Sequence, residues 1–428
     1  MSSILNDIVE RHADEAAFLW QRHERSARSP LFDLQSLGAV DARLAANLEG
    51  LRVAGAEGLQ IAVAAFDRAT RDTKGPDGEL FAAAYVAAEL KDHLALSKLI
   101  VFAQRGGRHE RALVSALAWL EDPTARRVVS ELLSNECPPV LHRLGIAASA
   151  ARRQDPGVAL GRALDTRDPE LRACAYRAAG HLGRRDLLPA LRLAARNPDD
   201  GDRAWAAWAA VLLGDRGCLD ILWAAVGAHG DVQLPATDLA ARVGETGKTA
   251  EKLTALSTSE QTLPAALVGA GALGDPSCIP WVLETIARRP AFARSAASVY
   301  VTITGVKADP PLFVREPTRE PHDDEVALHL GDPNDDLPTP MSDELQAHWA
   351  IARSQFREGE RYLGGRPLTP AWLRQCLREG LQPWRASAAI ELSLGSADKL
   401  LFPVFAPQRL QKALLVQAAR TSIELPRV

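Results

Sequence analysis

Aromatic side chains are scarce in this sequence, and cysteine is scarcer still. Phe, Trp and Tyr make up 5% of the 428 residues, and the five cysteines lie far apart without a C-x-x-C pair. An odd number of scattered cysteines argues against a disulfide framework and against a thiolate zinc site. They are typical of reduced, mostly buried thiols in a cytoplasmic protein.

Long apolar runs and a positive charge excess are also missing. No stretch approaches the ~18 consecutive apolar residues of a spanning helix, and the N-terminus has no basic region followed by an apolar run. The net charge of −4 argues against a general nucleic-acid binder, which should be basic. We therefore expect a cytoplasmic protein with no membrane partner and little affinity for nucleic acid.

Signatures of catalysis are missing too. The ten histidines include no H-E-x-x-H pair, and no G-x-S-x-G elbow occurs. Gly247-Lys248-Thr249 ends like a phosphate-binding loop, but the first glycine of that loop would fall at Arg242, and residues at helical spacing precede it. The sequence therefore predicts no enzyme, no cofactor and no metal, and it predicts a turn between two helices here.

A fixed period is the strongest feature that the sequence does contain. Four similar strings carry glycines at 183, 214, 244 and 274, spaced by 31, 30 and 30 residues, and another 31 residues lead to Gly305. Each glycine follows an Ala/Leu-rich helix and precedes a second apolar helix. A constant period of this length marks a repeat architecture. The predicted fold is an all-α solenoid of helical hairpins, about 30 residues per repeat.

One repeat shows why the hairpins must stack. Asp168 is placed to cap a helix that opens with Pro169, where the missing N–H costs nothing. Leu171 begins an apolar face at helical spacing, and Gly183 permits the positive φ that ends the helix. A two-helix unit cannot bury this face alone, so neighbouring units must form one continuous core.

The chain divides into four predicted parts. Residues 1–77 are a helical N-terminal cap, 78–314 the repeat array, 315–344 an acidic Pro-rich loop, and 345–428 C-terminal helical repeats. From 316 to 344 the sequence has ten acidic residues, one basic residue and five prolines, a composition that cannot order itself. Two interpretations stay open, a partner-binding or self-docking segment and solvated disorder. The acidic candidates are Asp323, Asp324, Asp335 and Asp336.

The layout D-P, Ala/Arg-rich helix, L-G-x-x-x-x-L-P resembles HEAT repeats of the short bacterial type. The chain also resembles one particular family more closely. The stretches that carry this resemblance are HADEAAFLWQRHERSARSPLFDL near the N-terminus, TITGVKAD, DPNDDLPTP and FREGERYLGGRPLT. This family consists of the HEAT-repeat proteins encoded in proteobacterial type VI secretion clusters, beside spike proteins and their adaptors. The resemblance implies a cytoplasmic accessory or loading role and brings no catalytic residues. Thr339 departs from the pattern, which places an aromatic residue after D-D-L-P.

Exposed positions of the second helices are the candidate contact surface, because a solenoid offers them as a continuous ridge. Alignment on the turn glycines places Trp223 and Trp281 beside the core stripe, although tryptophan in an Ala-rich solenoid also fills space between repeats. The RYLGG string is a second candidate, or else a glycine C-cap with a packing tyrosine. Trp and Arg are common at interfaces, and the candidates are Trp223, Trp281, Arg192, Arg196, Arg288, Arg289, Trp349, Arg361 and Tyr362.

These patterns predict a non-catalytic protein-binding scaffold or adaptor, an accessory factor of type VI secretion that binds spike, adaptor or effector components. The alternative is a HEAT-like DNA-binding protein or DNA glycosylase. That alternative needs a dense row of Lys and Arg on successive second helices, because phosphate neutralisation supplies the affinity. The second helices carry a modest basic trend, which surface solvation explains equally well.

Overall fold

A computed structural model describes residues 2–71, 75–198, 201–227, 230–315 and 332–423. The chain is an all-α solenoid of helical hairpins, 72% helical. Three helices precede the array: α1 (Ser2–Ser26), α2 (Leu34–Val53) and α3 (Gly55–Ala69). α1 packs against α2 and α3, and both α1 and α3 contact the first helix of the array.

The first helices of successive hairpins stack on one another in chain order. They are α4 (Asp77–Glu89), α6 (Arg108–Trp119), α8 (Pro139–Arg152), α10 (Pro169–His181), α12 (Arg203–Leu212), α14 (Gln233–Val243), α16 (Leu263–Leu273) and α18 (Ala293–Thr304). Most of their residues are buried; in α12 the eight residues from Trp205 to Leu212 all are. Such complete burial means that these helices are covered on both sides.

The second helices form an outer layer with one buried face each. They are α5 (His93–Ala103), α7 (Asp122–Leu132), α9 (Val158–Leu164), α11 (Leu188–Arg196), α13 (Leu219–Ala225), α15 (Thr246–Leu256) and α17 (Ile279–Arg288). α11 buries only Leu191 and Ala195, and α13 buries only Leu222 and Ala225. The alternation of a buried and a half-exposed helix is the hairpin pattern that the glycine period predicts.

The local signals of the repeat at 168–197 act as predicted. The Asp168 side chain accepts a hydrogen bond from the Leu171 N–H at 2.8 Å, which caps α10. Gly183 follows the helix with φ +68. The turn at Gly244 differs, because Gly244 has φ −64 and the carboxylate of Glu245 accepts from the N–H groups of Gly247 and Lys248. The Gly-Lys-Thr string thus lies in the first turn of α15, between two helices.

The remainder of the chain folds back over the first helices. It contains two short antiparallel strand pairs, β1 (Phe313–Val314) with β2 (Thr339–Pro340) and β3 (Tyr362–Leu363) with β4 (Arg366–Pro367). The helices are α19 (Ser342–Ala352), α20 (Pro370–Glu379), α21 (Gln382–Gly395) and α22 (Gln408–Ile423). α19 packs against α17, and α20 pairs with α21.

Residues 362–411, here called the C-terminal segment, run along the C-terminal ends of the first helices toward the N-terminus. The Gly364 N–H donates to Thr302 O at 2.7 Å beside α18, and the Leu401 N–H donates to His181 O at 3.1 Å at the end of α10. Gln408 reaches α2, where its N–H donates to the Asp41 carboxylate at 2.6 Å. The expected C-terminal repeats are therefore one hairpin, α20–α21, that covers the array instead of lengthening it.

Candidate protein-binding surface

The outer face of the second helices is the face that the C-terminal segment leaves open. Large apolar side chains stand exposed on it at 65–75% of their area: Leu94 and Val101 on α5, Val158 on α9 and Leu193 on α11. Scattered apolar side chains of this kind are common on monomers. The outer face therefore offers contact points without defining one site.

Trp223 and Trp281 are both half-buried and both pack against the core. Trp223 touches two of the three core clusters, so it bridges neighbouring repeats, and the Lys252 ammonium lies 4.6 Å from the centre of its ring. Trp281 packs against the cluster of the last repeats. Each ring fills space between helices and presents only part of its surface to a partner.

The structure joins Arg288 and Trp349, which are 61 positions apart in the sequence, in one groove between α17 and α19. The groove holds about 420 Å³ and is lined by Pro280, Leu283 and Arg353 among others. Trp349 packs against the Phe356 ring at 5.6 Å and is half-buried. An apolar floor flanked by two guanidinium groups suits an apolar anchor beside an acidic residue.

Three of the four predicted second-helix arginines have acidic or carbonyl partners within the chain. Arg192 forms an ion pair with Asp215 at 2.6 Å, and Arg289 donates to Ser257 O at 3.0 Å. Arg288 pairs with Glu284 at 2.9 Å but remains 77% exposed. Arg196 is exposed on α11. Their neighbours thus reduce the positive field of the outer face.

Tyr362 lies inside the protein and Arg361 is half-buried, so the RYLGG string presents little of these two side chains to a partner. Arg361 donates to Leu273 O at 2.8 Å and Ala272 O at 2.9 Å. Tyr362 is 4% exposed and its N–H donates to Gly274 O at 2.9 Å. These two residues attach the C-terminal segment to α16, which agrees with the packing role that was the alternative.

The acidic candidates fall into two groups. Asp323 and Asp324 lie outside the described residues. Asp335 and Asp336 end a short 3-10 turn, and the Asp336 carboxylate forms an ion pair at 2.6 Å with Arg25 at the end of α1. Asp336 therefore docks on the chain itself and connects the end of the array to its beginning.

The structure also contains a central cavity that the sequence patterns do not predict. It holds about 540 Å³ between α6, α8 and α10 on one side and α21 with residues 401–407 on the other, and His181 lines it. Burial, and then repulsion from Arg153 and Arg177, keeps the pKa of His181 well below its ordinary value of 6.5. The cavity forms only when the C-terminal segment returns, so no local pattern signals it.

Metal sites, membrane-spanning helices and similarity to known proteins add no further candidate site in the described part of the chain. Among the described residues, no group of three or more His, Cys, Asp or Glu side chains could hold a metal ion. Within the same residues, no helix has the length and apolar character needed to cross a membrane. Comparisons with family models, with curated proteins and with solved structures gave no match.

Proposed function

We propose that this protein is a non-catalytic scaffold or adaptor that binds other proteins through the groove between α17 and α19. The occupant is an acidic segment with an apolar anchor, and the resemblance to proteins of type VI secretion clusters points to spike, adaptor or effector components. On this view the protein is a cytoplasmic accessory factor in loading or assembly.

One observation carries the proposal: the groove gathers Trp349, Arg288 and Arg353 around an apolar floor on the open outer face. Arg and Trp are the side chains that contribute most at protein interfaces. The guanidinium of Arg288, 77% exposed, can exchange its ion pair with Glu284 for a partner carboxylate with little change in solvation.

The DNA-binding alternative has weaker support from the charges. DNA affinity depends on several unpaired cations that neutralise phosphates. On the outer face Arg126 pairs with Asp122, Arg127 with Glu131, and Arg192 with Asp215. These pairs leave few unpaired cations for a phosphate backbone, whereas a single acidic residue of a protein partner needs only Arg288 and Arg353 of the groove.

The test is affinity capture of tagged protein from its native host, followed by cross-linking and mass spectrometry, for the wild type and two charge reversals. Arg288→Glu alters the groove. Arg126→Glu is the matched control, because Arg126 is 72% exposed and also has an i,i+4 acidic partner, with an N–O distance of 3.5 Å. Neither change should alter the helical CD spectrum or the melting temperature, since both arginines are exposed.

We expect secretion components to be recovered with the wild type and with Arg126→Glu, with cross-links to α17 or α19. Recovery should fall at least about tenfold with Arg288→Glu, since a lost charge-assisted contact costs about 1.5–3 kcal/mol. Equal recovery with both variants would remove the groove from the proposal. Co-purification of nucleic acid in place of protein would favour the alternative.

A further inference from the structure

The central cavity has walls of two kinds. Most of its lining is apolar, from alanines of α6, α8 and α10 and from Trp119, Ile390 and Phe402. A volume of about 540 Å³ lies within the range of small-molecule sites, which are mostly apolar with a few polar groups.

Arginines dominate the polar part of the lining. Among the described residues, the lining contains four arginines but one carboxylate, that of Glu24. Glu24 is shared, because Arg28 lies 3.2 Å and Arg111 lies 3.1 Å from the same oxygen. Arg177 pairs with Asp231 at 3.3 Å at the protein surface. The charge of the lining therefore remains positive after its ion pairs are counted.

Arg153 contributes much of the excess positive charge of the cavity lining. It follows α8 in the left-handed region at φ +57, and its guanidinium donates to the carbonyls of Ala150 and Leu401. Among the described residues no carboxylate forms an ion pair with it, and burial lowers its pKa to about 9. It nevertheless stays protonated at neutral pH, so a cation is held at the cavity wall by neutral acceptors alone.

We infer that the central cavity binds a small amphipathic anion, with a carboxylate or phosphate head at Arg153 and an apolar body against the alanine and aromatic walls. A guanidinium recognises either head through paired N–H donors. The ligand supplies the missing counter-charge and fills the apolar space. The neutral His181 imidazole beside it adds a further hydrogen-bonding group without a competing charge. This site is independent of the groove between α17 and α19.

Isothermal titration calorimetry of the full chain tests the inference with four probes. Octanoate and octyl phosphate carry the two head groups, octylamine reverses the charge, and acetate lacks the apolar body. We expect octanoate or octyl phosphate to bind in roughly the sub-millimolar range, and octylamine and acetate to bind at least about tenfold more weakly. The stronger of the two anions identifies the head group.

Three variants locate the binding. Arg153→Met should weaken the preferred anion roughly 10- to 100-fold, the range for a charge-assisted contact. Arg185→Met is the matched control, because Arg185 also donates to a carbonyl of the C-terminal region, Ala397 O at 3.4 Å, but lies outside the cavity. Ala147→Phe fills the cavity without changing charge and should abolish binding.

Octylamine binding as tightly as octanoate would overturn the inference, and so would the absence of binding by both anions. Unchanged affinity in Arg153→Met would overturn it as well. If Arg153→Met loses its helical CD signal, Ala147→Phe decides alone: retained binding there contradicts the cavity, and lost binding with an intact fold supports it.

Discussion

Replacement of Arg361 by Met should release the C-terminal segment from the array. The Arg361 guanidinium donates to Leu273 O at 2.8 Å, to Ala272 O at 2.9 Å and to Arg242 O at 3.2 Å. It also forms an ion pair with Glu391 on α21. One side chain thus joins α14, α16 and α21 at the point where the segment crosses the first helices.

The expected cost follows from these partners. The carbonyls of Leu273, Ala272 and Arg242 each lose a charged donor, at about 0.7 kcal/mol each and about 2 kcal/mol together. Glu391 keeps Arg242, which lies 3.1 Å away, so it loses only one of two cationic partners, for about 1 kcal/mol more. The sum is about 3 kcal/mol. Met retains most of the apolar stem, so the loss of packing adds little.

Amide hydrogen exchange measures this loss where it occurs. The Tyr362 N–H donates to Gly274 O, and the N–H groups of Gly364 and Gly365 donate to α18 carbonyls. All three should exchange about 100-fold faster in Arg361→Met. Arg366→Met is the control, because that exposed guanidinium only covers the Trp372 ring at 4.5 Å, a contact worth about 0.5–1 kcal/mol. Exchange that changes less than about threefold in Arg361→Met would refute the anchoring role.

One change of pH and two further substitutions should each lower the stability of the fold. Burial lowers the pKa of His23, but attraction to Asp41 and the hydrogen bond that the imidazolium donates to its carboxylate outweigh burial and raise that pKa above 6.5. This stabilisation is complete below pH 6.5 and is lost as pH rises through the folded pKa, and the loss should vanish in urea titrations of His23→Gln. Gly274→Ala should cost about 2–4 kcal/mol in the same assay, because φ is +70 and a Cβ would lie 2.3 Å from Tyr362 O. Trp223→Ala should lower the unfolding free energy by about 3 kcal/mol, because the ring bridges two core clusters.

Each of these has its own check. For Gly274→Ala, a cost of no more than about 1–2 kcal/mol, which the left-handed backbone alone explains, would mean that the close approach to Tyr362 O contributes nothing. An unchanged melting temperature in Trp223→Ala would return this tryptophan to the contact surface. A pH slope that persists in His23→Gln would assign it to another group.

The repeat array could be predicted because its information is local. The cap at Asp168, the proline at Pro169 and the glycine at Gly183 fall within 16 residues of one another, and each acts on the backbone beside it. Where a local signal was replaced by another, as at Gly244 with its Glu245 cap, the turn remained. Redundant local signals at a fixed period make such a fold readable from one sequence.

The C-terminal segment could not be predicted, because its contacts join residues far apart in the sequence. Arg361 and Leu273 are 88 positions apart, and Arg153 and Leu401 are 248 apart. No period connects such pairs. The central cavity could not be predicted for the same reason, because its walls come from residues far apart in the sequence.

The turn glycines link the repeat array to the C-terminal segment. At Gly183 a Cβ would lie 2.2 Å from Asp398 O, as at Gly274 it would meet Tyr362 O. The residue type that ends a first helix therefore also lets the C-terminal segment approach the helix end closely. Because that line of contact covers the first helices, a partner of the folded chain meets the outer helices, whereas a ligand of the central cavity lies between the first helices and the C-terminal segment. Changes to the groove and changes to the cavity should accordingly act independently, which a double variant, Arg288→Glu with Ala147→Phe, would show as additive losses of two separate activities.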